Sequence, residues 1–305
     1  MFVRVLGSAA GGGFPQWNCG CDNCSGVRRG TIRALPRTQE SLAVSADGEQ
    51  WFLLNASPEV RQQLESFSAL HPRSFRDTPI AGVLLTNGDL DHCLGLLSLR
   101  ESQRLVVYAT ERVRRGFIEG NVFYKTLERF EGQVTWHRFR FGVREPLLGP
   151  EGRPSGLSVA AFPLPGKPPL HARDSVRDLE DNVGLSIIDE RTSGVLAYLP
   201  GVAGPGQSVN EAVAGADAVF FDGTFWASDE LTSLGAGTRK AEDMAHWPLS
   251  GASGSLEFLR KLPAKRRILI HVNNTNPLLR DDSAEREVVR AFDVDVAYDG
   301  MELSL

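Results

Sequence analysis

Asp89, Asp91 and His92 stand within four residues of one another in Thr86-Asn87-Gly88-Asp89-Leu90-Asp91-His92. Carboxylate and imidazole donors set this close suit a divalent cation, whose ligands must converge on it from several directions. One tight turn can aim two or three of them. Asp222, in Asp222-Gly223-Thr224, and His271, after Ile268-Leu269-Ile270, each close an apolar run far along the chain, and both can complete the shell. Helix capping accounts for one aspartate of the cluster. It does not account for His92, nor for the matching Asp and His at two distant positions. Two histidines with carboxylates and open positions form the donor set of non-heme Fe(II) oxygenases. Zinc takes the same donors, so Fe(II) and Zn both remain open for the active site. His246, in Asp243-Met244-Ala245-His246-Trp247-Pro248, reads equally as an acid–base group or as a loop histidine bonded to backbone.

Cys19-x-Cys21-x-x-Cys24 is a second constellation, with the spacing at which thiolates wrap tetrahedral zinc. Three of the four cysteines within six residues do not form a disulfide framework. Clustered free thiols would oxidise, so a structural zinc in a loop at about 16–26 is the expectation. The fourth ligand is open: Asp22, or a residue beyond the loop. Cys93, next to His92, is expected to be a buried core thiol. The glycines of Gly7-Ser8-Ala9-Ala10-Gly11-Gly12-Gly13 mark backbone that turns tightly or approaches a ligand, with Gly12 and Gly13 as candidates for substrate contact. Lys167, Arg173 and Arg177 lie in an irregular stretch from Pro163 to Asp181 with four prolines, the pattern of a long functional loop. They can meet substrate carboxylates, and a solvated basic face is an equal reading.

Positioning these groups requires strands. Residues 2–6, 40–46 and 51–55 are short and β-prone, and Ile80 to Leu85 is a compact apolar run. Ser57-Pro58-Glu59 is a helix start, and Leu94 to Leu99 a helix following the Asp91-His92 turn. The second half repeats the pattern. Strands at 157–162, 183–189 and 194–199 lead to a helix near 208–214, Val219-Phe220-Phe221 ends at Asp222, and a helix is expected at 254–261. Polar residues thus recur where apolar strands end, the edge at which layered α/β folds bind ligands. The expectation is a single α/β domain over 1–305, made of two similar halves.

The 305 residues carry 42% hydrophobic and 23% charged residues and a net charge of −5, with no footprint for nucleic acid or an anionic membrane. No run approaches the roughly 18 apolar residues of a membrane span. The apolar start at Met1 to Gly7 is too short for a signal peptide, so a cytoplasmic location is expected. A small-molecule substrate fits this profile, and a homodimer is among the assemblies it allows.

Asn87-x-Asp89-x-Asp91-His92 resembles the His-x-His-x-Asp-His motif of the metallo-β-lactamase superfamily, with Asp222 at its bridging aspartate and His271 at its last histidine. The resemblance implies a four-layer αββα sandwich. Asn87 and Asp89 replace the first two histidines, and none stands near Phe162-Pro163-Leu164-Pro165, with His171 several residues late. By this resemblance the first metal position is lost and one catalytic metal remains. Related hydrolases place a proton-shuttling histidine near His246, and some close a three-cysteine loop with a histidine at the position of Asn274. Gly7 to Cys19, the cysteine spacing, Asp222-Gly223-Thr224-Phe225-Trp226, Pro165-Gly166-Lys167 and His271-Val272-Asn273-Asn274-Thr275-Asn276-Pro277 jointly resemble the PqqB family, coenzyme PQQ synthesis proteins B. That resemblance implies a part in making pyrroloquinoline quinone (PQQ), a redox cofactor built from a Glu and a Tyr of a precursor peptide. The implied chemistry is iron- and dioxygen-dependent hydroxylation of the tyrosine ring in a Glu–Tyr unit. A zinc hydrolase and a non-catalytic carrier or export accessory for PQQ and its intermediates are the alternatives.

Overall fold

The computed structural model describes residues 1–172 and 176–305. Its strands in chain order are β1 (Phe2–Gly7), β2 (Ser41–Ser45), β3 (Trp51–Leu54), β4 (Ile80–Leu84), β5 (Leu105–Ala109), β6 (Val134–Arg138) and β7 (Glu145–Leu148). There follow β8 (Pro154–Pro163), β9 (Val183–Asp189), β10 (Val195–Leu199), β11 (Ala218–Asp222), β12 (Arg266–Ile270), β13 (Asp295–Val296) and β14 (Glu302–Ser304). They make two seven-stranded sheets, ordered β14-β1-β2-β3-β4-β5-β6 and β13-β12-β11-β10-β9-β8-β7. Strands β3 to β6 pair in parallel, as do β10 to β13. A parallel strand needs a crossover, and the crossovers place helices on the outer faces. Helix α1 (Asp22–Arg29) lies between the antiparallel strands β1 and β2, and the crossover helices are α2 (Val60–Glu65), α3 (Leu90–Cys93), α4 (Glu111–Ile118), α5 (Gln207–Val213), α6 (Glu230–Ser233), α7 (Ser255–Arg260) and α8 (Ala284–Ala291).

Three apolar clusters fill the three spaces between layers. Val5, Leu42, Phe52, Leu84, Leu185, Tyr198, Phe220 and Ile268 join the inner faces of both sheets. Leu53, Val83, Val107, Val60 and Val113 pack α2 and α4 on the first sheet. Phe221, Leu269, Val209, Leu256 and Val289 pack α5, α7 and α8 on the second. Parallel strands buried on both faces read as continuous apolar runs, and β4, β5 and β11 are buried throughout. The order helix–sheet–sheet–helix is the αββα sandwich.

The helix expected at Ser57-Pro58 begins later, at Val60. The Ser57 hydroxyl turns inward and bonds Gln63 Oε1 at 3.0 Å instead of capping. Leu94–Leu99 is a 3-10 helix, entered directly from the single α-turn of α3.

Candidate metal centre

Four strands deliver the centre from one edge. After β4, Asn87 Oδ1 accepts the Asp89 N–H at 2.9 Å and folds the chain back, so that α3 carries Asp91 and His92 side by side. The Ala56 N–H donates to His92 O at 2.7 Å and the Gly95 N–H to Ala56 O at 2.9 Å, which seats α3 on the turn after β3. In the other sheet β11 ends at Asp222, in register with Ile270 of β12, and His271 follows with φ +60°. A non-glycine residue held in the left-handed region is strained, and such strain collects at functional sites.

Asp91, His92 and His271 bring one donor atom each within 4.8 Å of one another. Asp91 Oδ2 lies 3.3 Å from His271 Nε2 and 3.7 Å from His92 Nε2. The two rings meet edge-on at 5.1 Å. Their other nitrogens are held by threonines. Thr86 Oγ1 donates to Asn55 Oδ1 (3.1 Å) and is left to accept from His92 Nδ1 at 3.2 Å. Thr224 Oγ1 donates to Asp222 Oδ1 (2.6 Å) and accepts from His271 Nδ1 at 2.7 Å. As neutral imidazoles both rings therefore carry their proton on Nδ1 and turn Nε2 to Asp91. Among the described residues the His92 Nε2 atom is buried without a hydrogen-bond partner. A buried lone pair beside a carboxylate is costly unless a cation lies between them, so the donor set fits a metal ion.

The charges agree. Although burial opposes it, His92 and His271 hold the Asp91 carboxyl well below the usual range. Burial pushes His92 down to about 4, which keeps its lone pair. Burial also works against a charged His271, but the bond to Asp91 raises it above its ordinary value. Burial, with Asp91 second, raises Asp89, which Lys167 and His246 partly offset.

Asp222, expected among the ligands, is fully buried and held by hydrogen bonds on both oxygens. Its Oδ1 accepts from Thr224 N–H (3.0 Å) and Thr224 Oγ1, and its Oδ2 from Val202 N–H (2.9 Å) and His246 Nδ1 (2.7 Å). Four donors occupy its lone-pair directions, so it orients His271 and His246. His246 is accordingly not bonded through its ring to backbone: it is anchored on Asp222 and stacks on His271 at 5.3 Å. Asp222, His246 and His271 form a second close group sharing His271. Asn87 is a turn-former and Asp89 flanks Asp91. Lys167 is half-buried and near enough to act on Asp89, Arg177 is exposed, and Arg173 lies outside the described residues. Gly12 (φ +93°) and Gly13 (φ +69°) make the turn, but Gly11 is the glycine against the site. A Cβ there would sit 3.1 Å from Asp91 Oδ2.

Sequence reasoning missed Glu40, Asn55 and Tyr198, all fully buried beneath His92. Asn55 Nδ2 donates to Glu40 Oε2 (2.9 Å) and the Tyr198 hydroxyl donates to Glu40 Oε1. Glu40 Oε2 is 3.9 Å from His92 Nε2. Burial raises its pKa to about 7, against the pull of the Tyr198 and Asn55 bonds. Asn55 had a usable signal: an asparagine directly after the apolar strand Trp51–Leu54, at the edge where ligands gather. Glu40 had none, sitting between Gln39 and Ser41 like a surface residue.

The sulfurs of Cys19, Cys21 and Cys24 also converge within 4.8 Å. The Asn274 carboxamide faces all three, its nitrogen 3.1 Å from Cys19, 3.4 Å from Cys24 and 3.8 Å from Cys21. Asp22 is exposed at the start of α1 and is not part of the group. Burial pushes the Cys21 thiol up to about 11; Cys19, despite burial, is lowered by bonds from Cys21, Cys24 and Asn274. Cys93 is a core thiol, pushed by burial up to about 12.

A family model described as the beta-lactamase superfamily domain matches residues 50–272. The chain is 42% identical over 309 residues to coenzyme PQQ synthesis protein B of Pseudomonas protegens, with both proteins covered completely. It is 43% identical over 307 residues to that of Azotobacter vinelandii, again complete in both. This chain belongs to the PqqB family. Among solved structures, Zn(2+)-bound PqqB from Methylobacterium extorquens superposes with a TM-score of 0.92 at 42% identity, covering 100% of each chain. A diphosphatase of the PhnP family (TM-score 0.67, 21% identity, 99% and 96% covered) shares the fold. The PqqB relatives thus cover the chain from end to end. No helix among the described residues is long and apolar enough to cross a membrane.

Proposed function

We propose that this chain serves pyrroloquinoline quinone synthesis as a metal-dependent oxygenase that hydroxylates the tyrosine ring of a Glu–Tyr unit. The observation that carries the reading is the convergence of two imidazoles and one carboxylate, His92, His271 and Asp91, with the imidazoles of the superfamily's other metal position replaced. Two histidines and one carboxylate, with positions left open, are the ligand set of non-heme iron oxygenases. Membership of the PqqB family supports the pathway.

Bound Fe(II) would supply dioxygen activation. The chain's own residues do the rest. Asp91, His92 and His271 would hold the ion, with both imidazoles locked as Nε2 donors by Thr86 and Thr224. His246, its Nδ1 proton fixed on Asp222, keeps Nε2 to take the phenol proton. Lys167, beside Asp89, meets a substrate carboxylate. One oxygen atom of dioxygen replaces the ring hydrogen. The other leaves as water and takes two electrons from a small-molecule reductant such as ascorbate. A structural zinc in the cysteine loop, with the Asn274 carboxamide turned oxygen-first as fourth ligand, completes the assignment.

The test is anaerobic loading with Fe(II), then a Glu–Tyr peptide, ascorbate and air. The reading expects oxygen uptake and a catechol heavier by one oxygen atom, and no product in His92→Ala. Turnover by the zinc form without oxygen would replace it with a hydrolase. Tight product binding without turnover, unchanged in His92→Ala, would replace it with a carrier.

A further inference from the structure

Glu40, Asn55 and Tyr198 form a polar cluster buried in an apolar inter-sheet core, and the chemistry above uses none of them. Tyr198 and Glu40 are 0% exposed, as is Asn55, whose backbone is held at φ +62°. Burying three polar side chains is costly unless each hydrogen bond is made, and here each is. Glu40 receives the Tyr198 hydroxyl on Oε1 and one Asn55 amide hydrogen on Oε2 (2.9 Å). The second amide hydrogen of Asn55 reaches the Tyr198 oxygen at 3.0 Å. With both hydrogens on these two shorter bonds, Asn55 Nδ2 has none left for His92 Nδ1, which it approaches to 3.2 Å, and Asn55 must turn Oδ1 the other way, where it accepts from Thr86 N–H (2.9 Å) and Thr86 Oγ1 (3.1 Å). Having spent its own proton on Asn55, Thr86 can only accept from His92, and the Nδ1 contact at 3.2 Å is that bond. Every arrow in the chain points the same way, and only one member, Glu40, can end it, because its ionised carboxylate accepts without donating.

We propose that Glu40 is a positioning residue which, through Asn55 and Thr86, fixes His92 in the tautomer that presents Nε2 as a metal donor. The partner chemistry is a divalent cation at Asp91, His92 and His271. The inference needs only that cation and holds whether the reaction is oxygenation or hydrolysis. Replacing the carboxylate by an amide puts two N–H donors where only acceptors fit. Asn55 then flips or loses its partners, Thr86 is freed to donate to Nδ1, and the His92 proton moves to Nε2, where it blocks the ion.

The tautomer is read in the metal-free protein by nitrogen-15 NMR of the imidazoles, with the His92 signal assigned by its loss in His92→Gln. Ion binding is read separately with Mn²⁺, which disfavours the thiolate loop, by loss of the free-ion EPR signal. Wild type is expected to show Nδ1–H. In Glu40→Gln the signal shifts to Nε2–H and Mn²⁺ binding weakens at least about tenfold, the size of effect known for residues that orient ligands. Tyr198→Phe, which keeps the carboxylate, is expected to retain the Nδ1–H form. A folded Glu40→Gln that keeps the wild-type tautomer and Mn²⁺ affinity overturns the proposal. If Glu40→Gln does not fold, Thr86→Val decides: it deletes the acceptor, and an unchanged Nδ1–H tautomer there overturns the relay. Because no turnover is measured, failure here is distinct from failure of the oxygenase reading.

Discussion

Thr86 and Thr224 do the same work on two histidines, each taking an Nδ1 proton so that Nε2 faces Asp91. Behind them a less obvious carboxylate ties the site loops together. Glu230, at the start of α6, accepts the Thr275 hydroxyl on Oε1 (2.5 Å) and the Trp226 N–H on Oε2 (2.7 Å). It thereby joins the segment after Asp222 to the segment after His271. Burial raises its pKa from 4.5 to about 7, against the pull of those bonds. A carboxyl whose folded pKa exceeds its unfolded one takes up a proton on folding. Its contribution is fully present below about pH 4.5 and is lost as pH rises through about 7, up to about 3 kcal/mol in all. Glu40 acts in the same direction, so the contribution of Glu230 must be read as a difference. Glu230→Gln keeps an acceptor oxygen but cannot ionise. Urea unfolding free energies measured from pH 5 to 7.5 should fall less steeply in the variant than in wild type. Parallel curves would show that Glu230 does not titrate in this range.

At the level of elements, α3 works only because the chain next to it has no side chain. A Cβ on Gly95 would lie 2.2 Å from Ser57 O and 2.8 Å from Ala56 O, both rigid backbone, in the turn that anchors His92 O. Gly95→Ala should therefore cost about 1–3 kcal/mol and move Asp91 and His92 off station. Gly204→Ala, where a Cβ meets nothing within 4 Å, should be neutral to within about 0.5 kcal/mol. Denaturant titration of the two variants separates them; equal, negligible effects would mean α3 is not pinned there. This dependence explains which parts were legible in the sequence. Strands β4, β11 and β12 and the residues Asp91, His92 and His271 announced themselves, because apolar runs ending in metal donors are local patterns. The run Leu105–Ala109 of β5 has the same apolar signature, yet no strand was expected there. Strand β6, Val-Thr-Trp-His-Arg, is an exposed edge with no such pattern, and β13 and β14 span two and three residues. Glu40 was invisible for a different reason. Its burial arises from the meeting of β2 with Tyr198 of the other sheet, which no local spacing encodes.

At the scale of the whole molecule, the centre is a joint between two sheets. Asp91 and His92 leave β4 of one sheet and His271 leaves β12 of the other, while β14 returns to flank β1 and steadies the strand that feeds the Gly11 turn beside Asp91. A cation held by these three ligands cross-links the layers, so its binding energy becomes folding energy. An ion present at a hundred times its dissociation constant adds about 2.7 kcal/mol, and a chain of this length gains roughly 2 °C in melting temperature per kcal/mol. Mn²⁺ added to the metal-free protein should therefore raise the midpoint by about 5 °C. The thiolate loop contributes little to that rise, because Mn²⁺ prefers oxygen and nitrogen donors. The control is His271→Asn, since asparagine tolerates the left-handed backbone at this position but falls short of the ion. It should melt lower than wild type and gain almost nothing from Mn²⁺. The comparison isolates the joint: a wild type that gains no more than the variant would mean that the two sheets hold together independently of the ion, and that His271 is not one of its ligands.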